Sequence, residues 1–484
     1  MDKIGRELGL TERYQISKQL TNIYGTLGLT ANIKLRDSSN LSNNDNENIY
    51  LKSYIYPAIS LICSTIPQLS VSVIDLDTTA PKFLQLHSLD LERIVSFQTC
   101  KNRDTLADLI KQEIGNNFDI TDKSVPMWRL KVICFEDLAT VDQQGEISII
   151  FSMDHVIADG MSTTILMKEL VNAINAVEPI IVQEGWSCVN VNVDQLVWSG
   201  PLDQRTPHHP GLWELLPVVI KHVLMPPFLQ KYIYGTPKFW AGEKRAVQEK
   251  HCTHVQLFEF DQLPQLLAKC RANATTPHAA IYVAIVMATL QVYGDNLQLI
   301  GATPYSIRNL CELAVSDTEV GNFVSGYDRT KDYQYSHLSV ASNFWLECRQ
   351  YKQEIVDYRV TGVKYTNMLK HVGPFPNKWT EFWLKRLESL PFGRNCSFEF
   401  SDLGNVDFSS NNAESSDDQS PFQLKSVLFA QSANIVGSVF NINTITTNQI
   451  LKGSITYQKE SITDENATLI INNLKTILTN IIVE

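Results

Sequence analysis

His155, Asp159 and Gly160 stand together in the run Asp154-His155-Val156-Ile157-Ala158-Asp159-Gly160. Imidazole has an ordinary pKa close to neutral, so a histidine on a loop is suited to take a proton from a substrate and give it back. A spacing of four would make His155 and Asp159 neighbours on a helix, but the glycine and the shortness of the segment predict a turn. Asp159 is then either the partner of His155 or an anchor capping the helix that follows. No protein nucleophile accompanies this base. The chain has no G-x-S-x-G elbow, no P-loop, no dinucleotide-binding glycine fingerprint and no H-E-x-x-H,. His208 with His209, and His251 with His254, show no ligand spacing that would add a metal, so none is expected,. A base without a nucleophile suits a reaction in which one substrate attacks the other directly, with no covalent enzyme intermediate.

The flanking elements are those needed to hold such a loop. Ile147, Ile149, Ile150 and Phe151 predict a buried strand running into it, and Trp128–Phe135 a neighbouring strand,. Ile165, Leu166, Leu170 and Ile174 predict a helix from Met161 to about Ala176 running out of it,. The second half repeats the mixture: Pro277–Val292 reads as a buried helix, Leu297–Thr303 as a strand and Val439–Tyr457 as a closing hairpin,. The expected fold class is α/β (α+β), two lobes each built on a mixed sheet with flanking helices. A Pro-rich polar boundary at Ser199–Pro210 divides the chain into residues 1–198, a crossover at 199–240, and 241–484. Interdomain clefts are favoured ligand sites, so the site is expected between the lobes. Ser38–Asn48 and Ser409–Ser420 lack apolar periodicity and read as surface loops,.

Bulk numbers narrow the function further. With 484 residues, two domains or more are expected,. A net charge of −11 argues against nucleic acid as a partner,. Nine cysteines without a C-x-x-C pair indicate neither a disulfide framework nor a zinc site,. The N-terminal residues carry no apolar signal core and no stretch is long enough to span a bilayer, so an intracellular, cytoplasmic location is expected,. Amphipathic stripes near both ends (Ile16, Leu20, Ile23, Tyr24, Leu27; Ile470, Leu474, Ile477, Leu478, Ile481) and the Pro-broken apolar run Leu212–Tyr234 either pack on their own lobes or touch a lipid surface,.

Several segments, in order along the chain, resemble the fungal alcohol acetyltransferase family within the CoA-dependent acyltransferases that carry an HxxxDG motif. They are Gly5–Tyr14, Pro126–Leu130, the His155–Gly160 motif, Lys238–Gly242 and Ser401-Asp402-Leu403-Gly404, where Asp402 replaces the family's usual Asn. The plant relatives' DFGWG segment is absent. The resemblance implies two chloramphenicol-acetyltransferase-like lobes with an active-site tunnel between them. Acetyl-CoA would serve as co-substrate rather than as a permanently bound cofactor, and a small or medium-chain alcohol as acceptor. It also implies His155 as general base, Gly160 in the same catalytic loop, and Asp159 as a structural residue tied to an arginine. Arg308 is the best candidate for that arginine, with Arg129 and Arg394 as alternatives. Ser401, Asp402, Leu403 and Gly404 are expected beside the acyl-CoA. The oxyanion donor is expected among the backbone N–H groups near Gly160 or the hydroxyls of Ser162 and Ser401. A monomer is expected, with the endoplasmic reticulum or lipid droplets as candidate surfaces for peripheral attachment. The alternative activity is N-acetyl transfer to a long-chain, sphingoid-like amine.

Overall fold

A computed structural model describes residues 2–483, apart from 24, 37–43, 137–144, 182–186, 199, 221–228, 230–231, 234–237, 249–252, 313 and 409–419. Eleven strands build its two large sheets. From the first half come β1 (Thr26–Leu35), β2 (Val95–Cys100), β3 (Trp128–Phe135) and β4 (Glu146–Asp154). The second half supplies β5 (Thr253–Phe260), β6 (Asn296–Ser306), β7 (Val324–Gln334), β8 (Cys396–Asn405), β9 (Phe422–Gln431), β10 (Ser438–Thr447) and β11 (Ile450–Gln458). The helices that matter for the site are α1 (Leu10–Leu20), α2 (Gly160–Ala176), α3 (Pro277–Tyr293), α4 (Ala341–Asn367), α5 (Asn377–Ser389) and α6 (Asp464–Val483).

The first sheet has the order β9-β1-β4-β3-β2 and the second β5-β11-β10-β8-β6-β7. Both are mixed, with parallel pairing at β2–β3, β6–β8 and β8–β10. Two lobes of mixed sheet with helices are thus the observed fold, as expected. The division is one of sheets rather than of sequence, however. β9 lies within 241–484 yet pairs with β1 in the first sheet. The core around that sheet also takes in Trp379 and Trp383 of α5. A boundary placed by composition cannot see such a crossing, because backbone pairing leaves no mark on local composition.

Burial explains which elements were readable. β4 is the middle strand of its sheet, and residues 147–154 are all buried, so it reads as a continuous apolar run,. α3 is buried along almost its whole length and packs against α6, whose stripe (Ile470, Leu474, Ile477, Leu478, Ile481) faces its own lobe. In the hairpin β10–β11, Thr447 pairs with Ile450 across Asn448 and Gln449, which have φ of 51° and 64°. Two consecutive positive φ values give the two-residue turn whose twist matches that of the strands.

Two local expectations need correction. The N-terminal stripe is not one helix through Leu27: α1 ends at Leu20, Asn22 turns left-handed (φ 53°), and Leu27 lies in β1. The N–H groups of Asn22 and Ile23 close back on the carbonyls of Gln19 and Lys18. Tyr24 of that stripe falls outside the described residues. Residues 44–48 belong to the helix Asn44–Cys63 rather than to a loop. The expected loop Ser409–Ser420 lies almost wholly outside the described residues. Of the run Leu212–Tyr234, a short helix Leu212–Val219 is described, with Leu212 and Trp213 82% and 86% exposed, and most of the rest is not.

Candidate active site

The loop after β4 is held from below by backbone and from the side by the second lobe. Asp154 Oδ1 accepts the Val156 N–H at 2.7 Å, and the His155 N–H donates to the Gly25 carbonyl at 2.8 Å. Asn322, immediately before β7, donates its amide to the His155 carbonyl at 2.9 Å, and the same nitrogen lies 3.4 Å from His155 Nδ1. The imidazole also bonds to the carbonyl oxygens of His155 itself and of Ala158. A ring reaches its own carbonyl only through the nitrogen nearest the backbone. That puts Nδ1 beside backbone carbonyls and Nε2 on the far edge of the ring. Burial, and secondarily the Lys18 ammonium, hold the imidazole down to about 4, so it is neutral across physiological pH.

Asp159 is tied elsewhere. It is the N-cap of α2, with Oδ1 accepting the Ser162 N–H at 2.7 Å and the Ser162 hydroxyl at 2.8 Å. Oδ2 accepts the Phe323 N–H at 2.9 Å. Arg308 Nη2 lies 3.3 Å from Oδ1 and 2.9 Å from Ser162 Oγ, while its Nη1 donates to the Glu319 carbonyl at 2.7 Å. The Asp159 N–H donates to the Gly321 carbonyl. One nearly inaccessible carboxylate (2% exposed) therefore clamps the start of α2 to the segment that leads into β7 of the other sheet. Arg129 instead holds Glu113 and the Asn116 carbonyl, and Arg394 holds the carbonyls of Ala241 and Lys244.

Gly160 opens α2 at a close approach to the second lobe. A Cβ there would meet Leu403 Cδ2 at 2.7 Å. Leu403 is thus placed by packing. Of its neighbours, Ser401 lines the cavity and its hydroxyl makes no hydrogen bond among the described residues. Asp402 points to the other face of β8, where Oδ2 meets His278 Nδ1 at 3.1 Å and Oδ1 accepts from Thr444 Oγ1 and the Gly404 N–H. Gly404 takes φ of 71°, a left-handed value that favours glycine,.

A cavity of about 370 Å³ lies between the sheets, with His155 and Gly160 on its wall. Its other lining comes from residues that the motif did not point to. Tyr14, Gln15 and Lys18 reach it from α1, Asp328 from β7, Glu399 from β8 and Gln431 from β9. Lys18 is buried, with its ammonium 4.7 Å from the Tyr14 ring and 5.3 Å from the Trp383 ring. Burial pulls its pKa down to about 8. Glu399 accepts from Gln431 Nε2 at 2.7 Å, yet burial raises its carboxyl above the ordinary value. One sequence signal was present: Phe398 and Phe400 alternate with Glu399 and Ser401, so the polar pair had to share a face opposite the core,. Nothing local marked Lys18 or Asp328 as its companions. Among the described residues no group of three or more His, Cys, Asp or Glu could hold a metal ion.

This two-lobed arrangement recurs among solved acyltransferases. The trichothecene 15-O-acetyltransferase TRI3 of Fusarium sporotrichioides superposes with a TM-score of 0.69 at 11% identity, covering 99% of this chain and 96% of that one. The wax ester synthase/diacylglycerol acyltransferase of Marinobacter aquaeolei VT8 gives 0.56 at 12% identity, covering 98% of each. At such identities the likeness is one of fold. The sequence carries the assignment further. Residues 98–481 match the model of the alcohol acetyltransferase family, and the chain belongs to that family. It is therefore an acyltransferase. The probable alcohol acetyltransferase FCK4 of Fusarium pseudograminearum (strain CS3096) is 21% identical over 414 residues, covering 81% of this chain and 78% of that protein.

Proposed function

We propose that the protein transfers an acetyl group from acetyl-CoA to the hydroxyl of an alcohol, with His155 as general base. The observation that carries this reading is the imidazole on the cavity wall, held neutral across physiological pH by burial. Nε2 removes the hydroxyl proton as the oxygen attacks the thioester carbon. The carbonyl electrons move onto oxygen, then return as the C–S bond breaks, and the same proton passes to the departing thiolate. The products are an acetate ester and free CoA thiol, and no bond to the enzyme forms. Ser401 is our choice for the oxyanion donor, because its hydroxyl has no other partner among the described residues whereas that of Ser162 is engaged with Asp159 and Arg308. General-base assistance is worth on the order of a hundred- to ten-thousand-fold.

In this reading Asp159 and Arg308 keep the loop in place without touching substrate, and Gly160 with Leu403 sets the distance between the lobes. Among the described residues no single helix is long and apolar enough to cross a membrane. Any peripheral lipid contact belongs at Leu212 and Trp213 rather than at the terminal stripes, of which Ile16, Ile23 and Leu27 and the five residues from Ile470 to Ile481 are buried.

The test is CoA release from acetyl-CoA by the purified protein with a series of alcohols, wild type against His155→Ala. The variant should lose activity by about a hundredfold or more and unfold at the wild-type temperature. Acetyl-CoA turnover that is unaffected by His155→Ala, or absent with every alcohol, would reject the reading.

A further inference from the structure

One row of the cavity wall is not used by the acyl transfer itself. Asp328 on β7 pairs with Ala302 on β6, and Ala302 pairs with Glu399 on β8. Directly opposed residues point to the same face of a sheet, so two carboxylates stand two strand spacings, about 10 Å, apart. Only a methyl group rises between them. Gly326, next along β7 on the same face, adds no side chain either. The result is a hollow in the floor of the cavity with an acid on each side.

The two acids are not equivalent. Glu399 has the Gln431 amide at 2.7 Å and the favourable field of Lys18. Asp328 makes no hydrogen bond or ion pair among the described residues, and Lys18 is not among the charges acting on it. Arg386 on α5 acts on it only through space and is not part of the cavity wall. Asp328 is exposed by surface area and lines the cavity, where partial loss of bulk water raises its carboxyl pKa. A carboxylate can only accept, and whatever fills this hollow must bring donors. A neutral hydroxyl would satisfy one lone pair but leave the charge unbalanced in a poorly hydrated site, whereas an ammonium answers both needs.

The charges also set a direction. His155 feels Lys18, Lys18 feels Glu399, and Glu399 feels Asp328. A cationic ligand is repelled from the His155 end by Lys18 and drawn to the Asp328 end. We propose that the hollow at Asp328 receives a protonated amine of the acyl acceptor, so that the acceptor is an alcohol carrying a cationic nitrogen remote from the hydroxyl that meets His155. This rests on the acyl-transfer reading of the same cavity. It assigns the nitrogen a recognition role and leaves the oxygen as the group acylated.

The experiment compares ω-amino alcohols from butanol to octanol length with the alkanols and the neutral α,ω-diols of matching length. Ester and amide products are separated by hydroxylamine cleavage and mass spectrometry. The expected result is ester formation, with kcat/KM for the best amino alcohol about tenfold or more above its alkanol and diol, carried mainly by KM. Asp328→Asn should bring the three acceptors to within about twofold of one another. Equal use of the three by the wild-type protein, diols matching amino alcohols, amide as the main product, or a preference that survives Asp328→Asn would each overturn the proposal. If no alcohol is acetylated at all, the acyl-transfer reading fails first. Calorimetric binding of amino alcohol against diol, to wild type and to Asp328→Asn, then decides this proposal alone.

Discussion

Replacing Asp159 with asparagine separates the two roles that the motif leaves open, because Asn keeps the shape of Asp and removes only charge and one acceptor. Oδ1 faces the Ser162 N–H, the Ser162 hydroxyl and Arg308, so the amide oxygen is best kept there. The new NH2 then faces the Phe323 N–H, donor against donor, where Oδ2 now accepts at 2.9 Å. A buried N–H left without a partner costs about 1–3 kcal/mol. Arg308 keeps the Glu319 carbonyl and Ser162 Oγ but loses its counter-charge in a pair whose side chains are 15% and 3% exposed. Breaking a buried pair from one side costs about 3–5 kcal/mol, and that figure stands for the whole effect, since the two losses share one carboxylate. The measurement is the urea midpoint by tryptophan fluorescence, together with the rate per folded molecule below the transition. The midpoint should fall, and the rate per folded molecule should stay within about tenfold of wild type, far from the general-base loss expected of His155→Ala. An Asp159→Asn protein with the wild-type midpoint and the activity of His155→Ala would refute the clamp and make Asp159 the working partner of the base.

Two further perturbations follow from the pKa shifts. Lys18→Met removes the ammonium that, after burial, contributes most to holding the His155 imidazole down to about 4. The imidazole pKa should rise, and the acid limb of the kcat/KM profile should move to higher pH; an unmoved limb would show that Lys18 does not act on the base. Asp154 is buried, with its carboxyl raised from 3.8 to about 7 by loss of water. The folded protein therefore holds a proton that the unfolded chain has released, and stability falls as pH rises through that window. The shift corresponds to roughly 4 kcal/mol above pH 7. Asp154→Asn should gain stability relative to wild type at pH 8 and not at pH 4, as read by thermal unfolding; an equal difference at both would exclude ionisation as the cause.

The elements readable in the sequence were those whose burial is uniform along the chain. β4 and α3 are buried nearly throughout, and the His155–Gly160 loop between β4 and α2 carries its own turn signal. Elements whose position depends on a distant partner were not readable. β9 supplies Gln431 to the cavity from within the second sheet's stretch of chain, and α1 supplies Lys18 from a helix that the periodicity alone overextends into β1. Arg308 was one of three candidate arginines, and only packing of the segment before β7 onto the start of α2 shows which one reaches Asp159.

The sequence by itself located the His155–Gly160 loop and carried the family to which the chain belongs. A histidine on a short loop between a buried strand and a helix is a candidate proton acceptor, and local spacing is enough to mark it as one,. Only the tertiary structure decided what surrounds the base. Lys18, Asp328, Glu399 and Gln431 come from four elements separated by most of the chain, and they meet because β9, from the second half of the chain, pairs into the first sheet beside the cavity. The pKa shifts of Lys18, Asp328 and Glu399 follow from burial and neighbouring charge, quantities that exist only once those elements are packed.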